Sequence, residues 1–188
     1  MIAPIIIDQA KKEKPMSYAK LSDSEYSVLV SVASKLGVDP AWLYAEINFE
    51  SGWDPQATNM QGSGARGLIQ FTDLSAPDIG FLSANDIVGQ FPDIASQLAG
   101  PVYDYLKRYA PFPTQQSLAM AVFYPAYRNV SPDTAFPANV QRDNPGIEKV
   151  SDYTHRVYGS ALMAGVIAAA SVALIIFLQN LSQKGGIV

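Results

Sequence analysis

Two carboxyls four residues apart, Glu46 and Glu50, lie in the stretch of this chain best suited to acid–base chemistry, Asp39 to Phe71. The spacing places both on one face of a helix. Asp39 is suited to cap the first free amides of that helix. Pro40 fits its first position, where a missing N–H costs nothing. Leu43 and Ile47 recur at helical spacing, and Ser51-Gly52 breaks the helix just after Glu50. Glu50 is thereby left at the end of a mostly apolar helix, between Phe49 and Trp53. An acid flanked by aromatic rings is disfavoured in its charged form and holds its proton towards neutrality. Such a group can protonate a leaving oxygen. A loop rich in Gly, Asn and Ser then leads into the apolar run Gly67-Leu68-Ile69-Gln70-Phe71.

At these residues the chain resembles the lytic transglycosylases, which share a lysozyme-like fold with goose-type lysozyme. The resemblance rests first on Glu50-Ser51-Gly52 with Pro55 and Ala57 shortly after, and on Gly64-Ala65-Arg66-Gly67 followed by Leu68-Ile69-Gln70. Ala121-Val122-Phe123-Tyr124-Pro125-Ala126 stands in the place of the family's Ala-Tyr-Asn-Ala-Gly segment, with Pro125 for the usual Asn and Tyr127 for the usual Gly. Asp152-Tyr153 lies where the family carries a cleft tyrosine. The similarity runs roughly from Leu21 to Val157 and implies a mainly α, lysozyme-like domain acting on peptidoglycan. It implies Glu50 as the catalytic acid, with Ser51, Gln70, Phe71, Tyr124 and Tyr153 as substrate-binding residues, and no metal or cofactor. The family pattern has no acid at the place of Glu46, so this residue is expected at the surface or in an ion pair.

The resemblance also implies how one carboxyl suffices where most glycosidases use two. The substrate's N-acetyl group stabilises the developing cation after Glu50 protonates the bond between N-acetylmuramic acid and N-acetylglucosamine. Glu50, now a base, takes the proton of the C6 hydroxyl, and a 1,6-anhydro ring closes without water. The alternatives left open are a hydrolytic lysozyme of the same fold and a structural or channel-forming membrane protein that only binds glycan.

Composition narrows the field. The chain has 188 residues, enough for one domain with a sizeable core and a short addition. A net charge of −4 gives no electrostatic case for nucleic acid. With no cysteine there is no disulfide, thiol nucleophile or thiolate zinc site, and the single histidine, His155, cannot build a metal site alone. The start of the chain, with Ile5-Ile6-Ile7, has no basic region before its short apolar run and does not read as a secretory signal.

Along the chain, residues 1–20 read as an arm that packs on a partner or stays mobile. Ser22 to Glu25 fits a capping box, and Leu29, Val32, Ala33 and Leu36 give a helical stripe ending at Gly37. Residues 51–67 are expected as a substrate-facing loop or a very short hairpin, with Asp54 capping amides on the Gly52 side. Asp73 to Gln90 should be short helices and turns. A longer helix from Pro92 is expected to kink at Gly100-Pro101. Thr114 caps a buried helix from Gln115 to Phe123. Pro125 to Gly146 reads as loop over the cleft, and a last helical piece begins near Glu148. His155 is expected to be structural, and Trp42 and Trp53 to serve the core.

From Val157 to Gln183 no residue is charged, and Ala161 to Leu178 is apolar except for Ser171. Roughly twenty such residues cross a hydrocarbon core of about 30 Å. The organisation expected is an arm (1–20), the lysozyme-like domain (21–157), one transmembrane helix (158–180) and a short tail (181–188). Ala161, Gly165, Ala169 and Ala173 form a small-residue stripe suited to self-association in lipid. Phage tail or internal virion proteins often carry such domains with a Phe-Tyr-Pro segment like Phe123-Tyr124-Pro125. The resemblance therefore implies a virion component delivered to the host envelope, opening the wall for genome entry beside other virion proteins. The alternative is a bacterial membrane-anchored enzyme.

Overall fold

A computed structural model describes residues 14–60 and 62–159 of the chain. They fold mainly as helices, with isolated β-bridges and no sheet among the described residues. The membrane span and its stripe (from residue 160), the tail and residues 1–13 of the arm lie outside the described residues. Among the described residues no helix is long and apolar enough to cross a membrane.

Local signals set the first two helices. Helix α1 (Asp23–Leu36) begins with a full capping box: the Ser22 side chain accepts from the Glu25 amide while the Glu25 carboxylate accepts from the Ser22 amide. It buries Leu29, Val32, Ala33 and Leu36, the expected stripe, and ends on left-handed Gly37. Helix α2 (Pro40–Ser51) starts with the Asp39 side chain accepting from the Ala41 amide, 2.8 Å away, and with Pro40 in the first turn. Its end is abrupt. Gly52 (φ +64°) and then Trp53 (φ +73°) are both left-handed, a conformation costly for tryptophan. The double reversal turns the Trp53 ring back against Tyr44, 5.0 Å between centroids. The Gly52 carbonyl accepts from Lys20 Nζ at 3.1 Å. The helix is thus held one residue beyond Glu50.

After the turn, Asp54 Oδ1 accepts from the Gln56 amide, forward along the chain and away from Gly52. Bridges between Thr58 and Arg66 and between Arg66 and Phe71 make the short hairpin. The expected short helices follow as a 3₁₀ turn (Ala76–Ile79) and α3 (Ala84–Gln90). The longer helix begins at Ile94, capped by the Asp93 side chain, two residues after Pro92. It divides at the glycine–proline pair into α4 (Ile94–Gln97), a π turn (Leu98–Val102) and α5 (Tyr103–Leu106), with Gly100 in a non-helical conformation. Helix α6 (Gln115–Phe123) starts from a Thr114–Ser117 capping box. The segment 125–146 is more ordered than its four prolines suggest. It contains a 3₁₀ turn (Pro125–Tyr127) and a short helix α7 (Ala138–Asp143) that follows Pro137. Helix α8 covers residues 150–159; Asp152 accepts from the Glu148 and Lys149 amides ahead of it.

The helices enclose two apolar clusters, and α2 and α6 serve both. Leu43, Ile47, Leu118 and Ala121 face the larger cluster with α1, α4 and α5. Ala45, Ala119 and Met120 face the smaller with Phe136, Val150, Tyr153, Val157 and Tyr158. Each fully buried Leu or Ile contributes about 1.5–3 kcal/mol, so α2 is anchored well before its last turn carries Glu50 outward. Trp53 is core, as expected, and Trp42 is half-buried against both clusters. His155 is exposed and does not serve the core. Tyr158, the first residue of the expected span, is buried in the domain.

Candidate active site

Glu50 ends in a hydroxyl-lined corner where α2 meets α8. The Tyr153 hydroxyl lies 2.5 Å from Glu50 Oε1 and 2.8 Å from Glu46 Oε1. The Tyr158 hydroxyl reaches the other Glu46 oxygen, Oε2, at 3.3 Å. Ring contacts hold Tyr153 in place: Phe123 stacks on it at 4.2 Å and Phe49 meets it edge-on at 5.4 Å. Tyr153 itself is 1% exposed. Its hydroxyl therefore points at the carboxyls with little freedom to turn away.

The two carboxyls differ in surroundings. Glu46 has no solvent exposure, whereas Glu50 is half-buried and borders a pocket of about 350 Å³. This corrects the expectation that Glu46 is a surface or ion-paired residue. Spacing alone puts Glu46 on the face of Glu50; packing of α8 over that face closes it off. Burial pushes the Glu50 carboxyl up to about 7, partly offset by the Tyr153 hydrogen bond. Burial and then the neighbouring charge of Glu50 push Glu46 up to about 8, against the hydrogen bonds from Tyr153 and Tyr158. Among the described residues neither carboxyl has an ion-pair partner. An acid near 7 at the wall of an open pocket is suited to give and retake a proton.

The other expected residues divide around this corner. Ser51 turns inward, its hydroxyl donating to the Ile47 carbonyl at 3.1 Å. Gln70 and Phe71 line a second pocket, of about 250 Å³, and Phe123 borders both. Gln70 is left-handed (φ +53°) and its side-chain amide donates to the Gly67 carbonyl at 3.0 Å. Phe71 is buried and packs edge-on against Tyr105. Tyr124 packs its ring on Tyr127 and Phe136 and borders neither pocket. The structure thus joins Glu50 to Tyr153 directly and sets Gln70 and Phe71 at a second pocket that shares Phe123 with the first.

Sequence reasoning missed Phe123, Asn144, Pro145, Ile147 and Arg156, which border the Glu50 pocket, and Tyr158 beneath it. Asn144 to Ile147 follow α7 and carry no periodicity to single them out. Phe123 had a local signal, an aromatic closing an Ala- and Met-rich helix. Gln97 was also missed. Fully buried, it accepts from the Leu68 amide at 2.9 Å and donates to the Pro55 and Phe91 carbonyls. No group of metal-binding residues occurs among the described residues.

Residues 28–94 match the family of the Transglycosylase SLT domain. The matched stretch contains Glu50 and the Gly67–Gln70 segment and stops before the helix that carries Tyr153. No curated protein matches the chain.

Proposed function

We propose that the protein is a lytic transglycosylase that cleaves the bond between N-acetylmuramic acid and N-acetylglucosamine in peptidoglycan. The observation that carries the reading is the Glu50 carboxyl. It is raised by burial to about 7, hydrogen-bonded on one oxygen by Tyr153, and lies in a segment similar to the Transglycosylase SLT domain. Protonated Glu50 gives its proton to the glycosidic oxygen as the C–O bond breaks and the electron pair leaves with that oxygen. Tyr153 then donates to the carboxylate that remains. Glu50 next takes the proton of the C6 hydroxyl as that oxygen bonds to the anomeric carbon, and the acid is restored. Gln70 and Phe71, at the second pocket, are assigned to neighbouring sugars. Purified peptidoglycan digested by the protein should yield 1,6-anhydro ends by mass spectrometry and no matching rise in reducing sugar. Reducing ends in equal number to the bonds cut would instead make the protein a hydrolase.

The setting is a separate proposal: the domain belongs to a phage virion protein, anchored by the uncharged stretch that follows residue 159 and delivered to the host envelope for genome entry. It rests on the resemblance at Phe123-Tyr124-Pro125 and on the uncharged, apolar composition after Val157. Mass spectrometry of purified particles should detect the chain. Its absence from particles, with presence in the membrane fraction of a bacterium, would favour the cellular alternative.

A further inference from the structure

The Tyr153 hydroxyl carries one hydrogen and stands within hydrogen-bond distance of two carboxyl oxygens, Glu46 Oε1 and Glu50 Oε1. It can donate to only one. If both carboxyls were ionised, the other contact would set lone pair against lone pair at under 3 Å, so one of the two acids donates to the Tyr153 oxygen. Two chains of hydrogen bonds satisfy all three groups. In one, Glu50 donates to Tyr153 and Tyr153 to Glu46. The proton Glu50 needs for the substrate is then turned away from the pocket. In the other, Glu46 donates to Tyr153 and Tyr153 to Glu50 Oε1. Glu50 Oε2, which has no protein partner among the described residues, is then free to hold its own proton towards the pocket.

Burial selects between them. The groups facing the Glu46 carboxyl are Glu50 from its own helix and Tyr153 and Tyr158 from α8; α6, packed against α2, brings no titratable residue. A charge on Glu46 would have neither solvent nor a cation to offset it, whereas Glu50 reaches the open pocket. We propose that Glu46 is a positioning residue that stays protonated throughout turnover and, through Tyr153, directs the Glu50 proton to the glycosidic oxygen. Tyr158 completes the chain by donating to Glu46 Oε2. The ordering survives the reaction. When Glu50 loses its proton to the leaving oxygen, Tyr153 already donates to the new carboxylate, and Glu46 keeps its proton because a second anion there would face the first. Both tyrosine hydroxyls are held well above their ordinary range by burial and the adjacent acids, so they remain donors.

This inference rests on the assignment of Glu50 as the acid, and its test is separable from that assignment. In protein labelled with carbon-13 at the glutamate carboxyls and carrying Glu50→Gln, Glu46 is expected to stay protonated at neutral pH; the Glu46 signal is identified by its loss in Glu46→Gln. This readout needs no activity. In otherwise wild-type protein, Glu46→Gln supplies the same neutral donor and is expected to keep kcat within a few-fold. Glu46→Leu fills the space without donating and should lower kcat roughly tenfold with KM little changed, a fraction of the roughly 10²–10⁴ a positioned acid contributes. In a Tyr153→Phe background the Leu substitution should have no further effect, because the link is already cut. A Glu46 carboxyl that is ionised at neutral pH overturns the proposal, as does a folded Glu46→Leu protein with unchanged kcat. Should Glu46→Leu fail to fold, the carboxyl titration alone decides.

Discussion

Glu50→Gln is expected to fold normally and to lose peptidoglycan cleavage by at least roughly 10²-fold, the lower end of what a positioned acid contributes. The amide keeps the shape of the carboxyl and can still accept from Tyr153, but it has no proton to give the glycosidic oxygen. The same assignment fixes the pH dependence. Activity needs Glu50 protonated in the free enzyme, so kcat/KM should decline as pH rises through about 7. Folding stability carries a related signature. Glu50 and Glu46 are raised from an ordinary 4.5, so the unfolded chain loses these protons first. Their stabilising contribution is complete below about 4.5 and is lost as pH rises through about 7 and 8. Glu50→Gln should remove the Glu50 share of that slope, so thermal melts across pH report on the group independently of turnover. A Gln variant that clears cell walls near the wild-type rate would rule out Glu50 as the acid.

Features that depend on a few neighbouring residues could be read from the sequence. The Ser22–Glu25 box, the Asp39-Pro40 start of α2 and the Thr114 start of α6 are satisfied by atoms within four positions, and each forms where its residues predict. The kink at Gly100-Pro101 is equally local, because it follows from a missing donor and a ring clash. Glu46 shows where such reading ends. Its helical register with Glu50 is a property of α2, but its burial is a property of Tyr153 and Tyr158, more than a hundred residues away. The ordering of 125–146 has the same origin. Its prolines and weak periodicity describe a loop, while Phe136 buried among Phe123, Tyr124 and Tyr127 gives that loop a reason to fold down beside the cleft. Gln97 gave no signal at all, since a single amide in an apolar helix looks like any surface glutamine until its partners are known.

Those partners make Gln97→Leu the substitution with the largest expected effect on stability. Leucine nearly conserves the volume, so packing is largely kept and the polar contacts are what is lost. The Leu68 amide and the Pro55 and Phe91 carbonyls would be left without the bonds Gln97 now makes to them. A buried donor or acceptor stripped of its partner costs about 1–3 kcal/mol, and partial relaxation puts the total near 3–5 kcal/mol. For a chain of this size that corresponds to a fall in Tm of roughly 10 °C, measurable by calorimetry. The loss is also directed. Gln97 Oε1 would lie 2.8 Å from a Cβ added at Gly67, itself left-handed at φ +77°, so the glutamine and the glycine form one close junction under the segment 67–71. That segment forms part of the wall of the second pocket, while Glu50 is set independently by α2 and Tyr153. Loosening it should therefore raise KM for glycan strands more than it lowers kcat, at temperatures where the variant is still folded. A Tm within a degree of wild type would show that the junction does not hold the segment, and a fall in kcat at unchanged KM would show that it acts on the acid instead.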